Sequence, residues 1–328
     1  MLCTRCAMSH SQAIRPGERA GGSLPVWTTS ARPARSPRAR RTNARRWSRC
    51  CAPCICSISA STTGASQKTP HGRVFGGQIL GQSLMAATLT APEDGRSVHS
   101  LHAYFMRPGD AEQPVEFDVE IMRDGRSFTT RRVRAMQFGR IILSMMASFQ
   151  HPDAYAFDHA DEMPEVAPPE DLPSFDAIVA PAANKYPGVR YYAQRRPFDL
   201  RHVNQPIALE PDPNPASVNA VWMRPMADLP DDERLYPPVL AYASDYTLLE
   251  SVLRRHGLAW SMGLRTASLD HAMWFHRPIP VNEWLLCVQT SPSASGGRGL
   301  GVGRIFTRDG ALVATAAQEG MVRPDGAR

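Results

Sequence analysis

From Val115 to Ile121 apolar and acidic residues alternate without a break, with Val115, Phe117, Val119 and Ile121 on one side and Glu116, Asp118 and Glu120 on the other. This period of two predicts a half-buried antiparallel strand. Strands are likewise predicted over Val98–Phe105, Ser127–Gln137 and Arg140–Phe149, with a hairpin turn at Asp124-Gly125 and a joint at Gly139. Ahead of them, RVFGGQILGQSLMAATLTAP is rich in small and helix-forming residues and stops at Pro92, so it reads as a helix able to lie close on a sheet through Gly81 and Ala86. The same order returns later. Residues 240–257 read as one helix, followed by strands over Thr266–His276, Glu283–Thr290, Arg298–Thr307 and Ala311–Val322.

The recurrence extends to residue types. SLHAYFMRP ends at Pro108 and LDHAMWFHRP at Pro278, and an offset of 168 to 170 superimposes Leu101 on Leu269, Gln150 on Gln318 and Gly77 on Asp245. Two copies of a helix followed by a meander imply a pseudo-twofold pair sharing one core. Residues 151–216 hold twelve of the 29 prolines and predict a long crossing segment. Short ordered pieces fall at Phe198–Val203 and Ser217–Arg224.

Asp245 is the misfit in its helix. Tyr242, Tyr246, Leu249 and Leu253 recur at helical spacing, and Arg254, Arg255 and His256 precede Gly257 as in a helix C-terminus. The i+3, i+4 and i+7 partners of Asp245 are Leu248, Leu249 and Val252, so its carboxylate leaves along an apolar face where an unpaired charge is costly. An N-cap and a catalytic base in a cleft both fit that pattern. Its counterpart, Gly77, carries no acid, which favours a task over an architectural need.

Charge narrows the partners. The formal net charge is +6, but eleven arginines and Lys68 against Glu18 give residues 1–70 a net +11, and +6 minus +11 leaves −5 for the rest. Beyond that stretch there is no basic excess for nucleic acid. No run of eighteen apolar residues exists to span a membrane. Six of seven cysteines also lie before residue 57, leaving Cys287 alone in the body. This fits a reducing compartment rather than a disulfide framework. The leader itself has no sustained period and builds no core. Cys3/Cys6 with Cys51/Cys54 as zinc half-sites and an organellar transit peptide are two readings of it. The preferred third is that the stretch is out of frame.

RVFGGQILGQSL, VHSLHAYFMRPGD, MASFQ, LAYASD, SLDHAMWFHRP, NEWLL and VATAAQEGMVR together resemble the acyl-CoA thioesterase II family, in that family's order, over about residues 73–323. The resemblance implies an α+β double hotdog, two repeats of a long helix wrapped by an antiparallel β-sheet, hydrolysing fatty acyl-CoA to free acid and coenzyme A. It places the catalytic residues at Asp245, Ser268 (where the family usually has Thr) and Gln318. The expected organisation is a disordered or mis-framed leader (1–70), an N-terminal hotdog (71–150), a proline-rich linker (151–194) and a C-terminal hotdog carrying the catalytic residues (195–328).

A thioester carbonyl needs a nucleophile and a group to hold the oxyanion. GxSxG is absent and Cys287 sits in a strand pattern, so attack by water is the economical route, with Asp245 as general base and Ser268 and Gln318 orienting the water. Asp245, read as lying on the first turn of its helix, is expected to be ionised at neutral pH. The Gly76-Gly77 turn and Gln78 are the candidates for the substrate and oxyanion site, because helix N-termini meet anions with backbone N–H groups. Asp270, His271 and His276 suggest an enoyl-CoA hydratase as an alternative, although as strand residues they are better read as structural, as are His99 and His102. A catalytically impaired acyl-CoA-binding protein is the non-enzymatic alternative if the first strand is missing. Neither metal nor cofactor is expected. The expected partners are the acyl-CoA substrate and further copies of the chain in a homo-oligomer, a dimer or tetramer, with no nucleic acid and no membrane. Asp325–Arg328 form no peroxisomal signal, which makes the cytoplasm the default.

Overall fold

The computed structural model describes residues 63–152, 157–182, 196–215 and 218–324. The cysteine pairs of the proposed zinc site lie outside them. In the first copy come β1 (Thr63–Gly64), α1 (Gly76–Thr90), β2 (Ser97–Phe105), β3 (Val115–Asp124), β4 (Phe128–Gln137) and β5 (Arg140–Gln150). A short helix α2 (Phe175–Val179) lies in the connecting segment. The second copy has β6 (Phe198–His202), β7 (Asn219–Pro225), α3 (Tyr236–Ser244), α4 (Glu250–Arg255), β8 (Leu264–Ser268), β9 (Asp270–Phe275), β10 (Leu285–Ser295), β11 (Arg298–Thr307) and β12 (Leu312–Pro324).

All strands join one antiparallel sheet in the order β1-β3-β4-β5-β2-β9-β12-β11-β10-β7-β6, with β8 beside β12. The order is a mirror about the β2/β9 seam. There the two His-Ala dipeptides of the repeat pair crosswise, His102 opposite Ala272 and Ala103 opposite His271. The pseudo-twofold axis therefore passes between them. Each half wraps a helix, giving the double hotdog, and one apolar cluster runs through both halves, from Leu80, Leu84 and Phe117 to Leu240, Leu248 and Ile305. Every such fully buried Leu or Phe contributes about 1.5–3 kcal/mol.

α1 is buried on nearly every side from Gly77 to Ala87, which explains its lack of an amphipathic stripe. α3 carries Pro237 and Pro238 just inside its start, where their fixed φ suits a first helical turn. The two helices run antiparallel, so the start of α1 meets the end of α3. On the sheet beneath α4 the inward positions of β11 are glycines. A Cβ at Gly301 would lie 2.3 Å from the Leu248 carbonyl oxygen, and one at Gly299 2.4 Å from the Val252 side chain. The glycine row lets the chain after Asp245 sit directly on the sheet.

Three expectations need correcting. Thr63–Gly64, within the supposed leader, pairs with β3 at Glu116 and Val115, occupying beside β3 the place that β7 occupies beside β10. The first hotdog therefore begins inside residues 1–70. Ile121, read as inward-facing, is 61% exposed, and among the described residues β1 meets β3 only at Val115 and Glu116. The helix predicted over residues 240–257 is two helices, α3 and α4, separated by turns over residues 245–249. The proline-rich segment does cross the molecule. It covers the outer face of the second half, where Met163, Val166 and Leu172 pack on Trp222, Trp284 and Phe306, and the Trp222 indole N–H donates to the Ala167 carbonyl at 2.9 Å.

Candidate active site

Asp245 sits where α3 ends, not on a first helical turn. The break between α3 and α4 carries it out of the helical hydrogen-bond ladder and turns its carboxylate toward the start of α1. There the Gly77 N–H donates to Oδ2 at 2.7 Å. The favourable helix end for this charge is thus that of the other copy. Both glycines are required by the approach. A Cβ on Gly76 would lie 2.7 Å from Asp245 Oδ2, and one on Gly77 only 2.3 Å from the Tyr242 carbonyl oxygen.

The other carboxylate oxygen faces β8 and β12. Gln318 Nε2 donates to Asp245 Oδ1 at 2.5 Å and to Ser268 Oγ at 2.9 Å. The Ser268 hydroxyl donates to Asp245 Oδ1 at 3.4 Å. A carboxylate offers no proton, so the amide must turn its NH₂ toward Asp245. That leaves Gln318 Oε1 buried and without a partner, an acceptor waiting for a donor. The sheet is built to present these groups. β8 pairs with β12 up to Ser268 opposite Gly320, and pairing resumes only at Ala272 opposite Ala317. In the gap Leu269 N–H donates to the Glu319 carbonyl at 2.9 Å, and Asp270 Oδ1 accepts the Glu319 N–H at 2.7 Å. Asp270 is the first of the two residues by which the repeat offset grows from 168 to 170, and its side chain replaces a missing ladder partner.

Burial pushes the Asp245 carboxyl up to about 6, against the lowering effect of the bonds from Gln318, Gly77 and Ser268. The residue as a whole keeps intermediate exposure, while its carboxyl is enclosed by protein. A group poised near the operating pH suits proton transfer.

Of the six residues expected at the site, Asp245, Ser268, Gln318, Gly76 and Gly77 come together and Gln78 does not. The buried Gln78 side chain accepts the Gln67 N–H at 2.9 Å and donates to the Ala65 carbonyl at 3.0 Å, tying the chain after β1 to α1. The amide of Gly77 is also spoken for: expected at an oxyanion, it is bonded to Asp245 instead. Gln78 and Ile79 N–H groups donate to the Phe75 carbonyl at 3.1 and 3.3 Å. Of the first four amides of α1, only that of Gly76 remains without a partner among the described residues. The role of Gly77 as donor to Asp245 was foreshadowed by the offset that superimposes the two, since positions near a twofold axis touch their own counterparts.

The histidines lie elsewhere in the network. His271 Nε2 meets Ser244 Oγ at 3.0 Å, and burial pushes its imidazole down to about 3, keeping it neutral. His99 bonds Ser148 at 2.8 Å and His276 bonds Thr315 at 2.9 Å. Burial raises the Cys287 thiol to about 11, which makes it a poor nucleophile. No group of three or more potential metal ligands occurs among the described residues.

With this geometry in place, comparison with known proteins gives a consistent result. Residues 65–150 match the family model for the acyl-CoA thioesterase N-terminal domain, and residues 207–321 that for acyl-CoA thioesterase. The chain is 39% identical over 265 residues to acyl-CoA thioesterase 2 of Haemophilus influenzae, covering 79% of this chain and 91% of that protein. Among solved structures it is similar to an acyl-CoA thioesterase II, TesB2, from Mycobacterium marinum, at 45% identity and a TM-score of 0.66 over 81% of this chain and 94% of that one. A hot dog fold protein from Alicyclobacillus acidocaldarius matches at 22% identity and a TM-score of 0.65, over 80% of this chain and 92% of that one, and supports the fold alone.

Proposed function

The chain belongs to the acyl-CoA thioesterase II family and hydrolyses acyl-CoA to fatty acid and coenzyme A, and on that premise we propose that Asp245 is its general base. The observation that carries the proposal is the unpartnered Gln318 Oε1 beside a carboxylate held on both oxygens. A water donating one hydrogen to Asp245 and the other to Gln318 Oε1 fills both needs. Its oxygen lone pair is then aimed by two fixed groups, a positional contribution to the rate.

As the water oxygen bonds to the thioester carbon, its proton passes to Asp245. The carbonyl oxygen takes up the negative charge and meets the Gly76 N–H, the amide left free at the start of α1. The tetrahedral intermediate collapses, the carbon–sulfur bond breaks, and the proton on Asp245 goes to the departing thiolate. One water and one acyl-CoA thus give one carboxylic acid and one thiol, and Asp245 is ionised again. Ser268 and Gly77 hold the base in place.

Since the ionised carboxylate does the work, kcat/KM for thiol release should rise with pH along an acid limb with a midpoint about 6. A profile flat from pH 5 to 8 would sink the assignment.

We also place the enzyme in the cytoplasm as a homo-oligomer, a dimer or tetramer. For the compartment, the support is the buried free Cys287 and the absence, among the described residues, of any helix long and apolar enough to cross a membrane. Fractionation that finds the protein in another compartment overturns that placement. For the assembly, the support is the outer face of the seam. Met146 and Tyr104 are 47% and 61% exposed there, and Trp274, with its ring 5.3 Å from that of His102, is 37% exposed. A second copy would cover these side chains. Light scattering should give a multiple of the chain mass, reduced by Trp274→Glu, and a monomer at micromolar concentration would end this part of the proposal.

A further inference from the structure

The break between α3 and α4 has no equivalent in α1, which runs helically through the counterpart positions. Something specific to the second copy holds it open. Thr247, two residues after Asp245, accepts a hydrogen bond on its hydroxyl from Gln289 Nε2 of β10 at 2.6 Å, while its carbonyl receives the Glu250 N–H at 2.9 Å. Gln289 Oε1 in turn accepts from Asn219 Nδ2 of β7 at 3.1 Å. Asn219 Nδ2 also donates to Glu250 Oε2 at 3.1 Å, and His202 Nε2 of β6 lies 3.2 Å from the same oxygen. The Trp260 indole N–H reaches Glu250 Oε1 at 3.3 Å. Thr247, Gln289, Asn219, Glu250 and His202 are all buried.

Burial by itself would raise the Glu250 carboxyl, yet the charges of His202 and Arg254 and the bonds from His202 and Trp260 hold it below the usual range. An ionised carboxylate in a core is a poor route to stability, since well-packed apolar residues often do as well or better. A connected polar network does fix one geometry. The first copy supplies the contrast. At the 168-residue offset Thr247 corresponds to Ile79 and Glu250 to Gln82, and Gln82 donates to the Ala65 carbonyl at 2.9 Å. The polar pair occurs in the copy that carries Asp245.

We infer that the Thr247–Gln289–Asn219–Glu250 network is a positioning device that holds the 245–249 turn so that Asp245 stays on Gly77 and Gln318. Thr247 and Glu250 are positioning residues and touch no reacting atom. The inference rests on Asp245 acting as the base. If the turn slackens, the carboxylate leaves the three bonds that favour its ionised form while remaining enclosed, and its pKa climbs. No charged side chain of α1, β8 or β12 contributes to that shift.

The test compares Thr247→Val, which keeps the shape and loses the hydroxyl, with Thr247→Ser, which keeps the hydroxyl, by thiol release from an acyl-CoA across pH in the full chain. Thr247→Val should lower kcat roughly tenfold to hundredfold with KM within about twofold, and move the acid-limb midpoint upward. Thr247→Ser should restore both kcat and the midpoint. A Thr247→Val enzyme with unchanged kcat and midpoint overturns the inference. So does a loss of kcat that only tracks the folded fraction with the midpoint unmoved, or a failure of Thr247→Ser to rescue. If Thr247→Val does not fold, Glu250→Gln is read by the same three measures. Asp245→Asn is run alongside to separate the two readings: turnover in that variant ends the base assignment, whereas an inactive Asp245→Asn with a normal Thr247→Val ends the present inference alone.

Discussion

Asp245→Asn is expected to lower turnover by about 10² to 10⁴, the usual worth of a positioned general base, while making the folded protein more stable at pH 8. The second half of that expectation follows from the carboxyl being pushed up to about 6 from an ordinary value of 3.8. Between those values the folded chain holds more protons than the unfolded one, so stability falls as pH rises through the window, and the loss is complete above about pH 6. Its size is roughly 2–3 kcal/mol at about 1.4 kcal/mol per unit. Asparagine carries no charge and escapes the loss. Thermal melts at pH 4 and pH 8 measure it: the variant should gain on the native enzyme only at the higher pH. Equal melting temperatures at pH 8 would show that the native site holds no strained charge, and retained turnover would remove Asp245 from the mechanism.

Gly77→Ala should damage both fold and activity. The added methyl would lie 2.3 Å from the Tyr242 carbonyl oxygen, 2.6 Å from the Phe75 ring and 3.0 Å from Asp245 Cβ. The first contact is with backbone and has no rotamer to change, so α1 and α3 must separate. Overpacking of this kind costs about 1–3 kcal/mol. The same separation draws the Gly77 N–H off Asp245 Oδ2, so kcat should fall about tenfold or more even in the folded fraction, as misplacement of a reacting group does. Urea unfolding with parallel single-turnover assays reads both effects. An alanine variant with native midpoint and rate would mean that the close approach of the helices is not what the enzyme depends on.

Much of this architecture was legible where a strand buries one face. Val115 to Ile121 and its partners announce themselves by alternation, and the repeated His-Ala dipeptides mark the seam where the copies join. The break at Asp245 was not legible. Tyr242, Leu249 and Leu253 are buried whether the chain between them is helical or turned, no Gly or Pro punctuates residues 245–249, and the partner Gln289 lies forty-two residues away from Thr247. Tertiary hydrogen bonds, invisible to local pattern, decide the matter. Gln78 was misplaced for a related reason: a helix start beside a candidate site says nothing about whether an amide turns toward substrate or toward the preceding chain, and here the Ala65 carbonyl and Gln67 amide claim it. Residues 63–64 lay within a stretch without periodicity, and the two described residues of that strand are too few to show one.

The contact between Gly77 and Asp245 also bears on why the two hotdogs share one chain. These are counterpart positions that meet beside the pseudo-twofold axis, so in an assembly of two identical single hotdogs both would be the same residue. Aspartate at both would press two carboxylates and two Cβ atoms into a space that holds one, and glycine at both would leave no base. Covalent fusion removes the constraint that symmetry imposes, because one copy is free to keep the acid while the other keeps only the backbone amide that receives it.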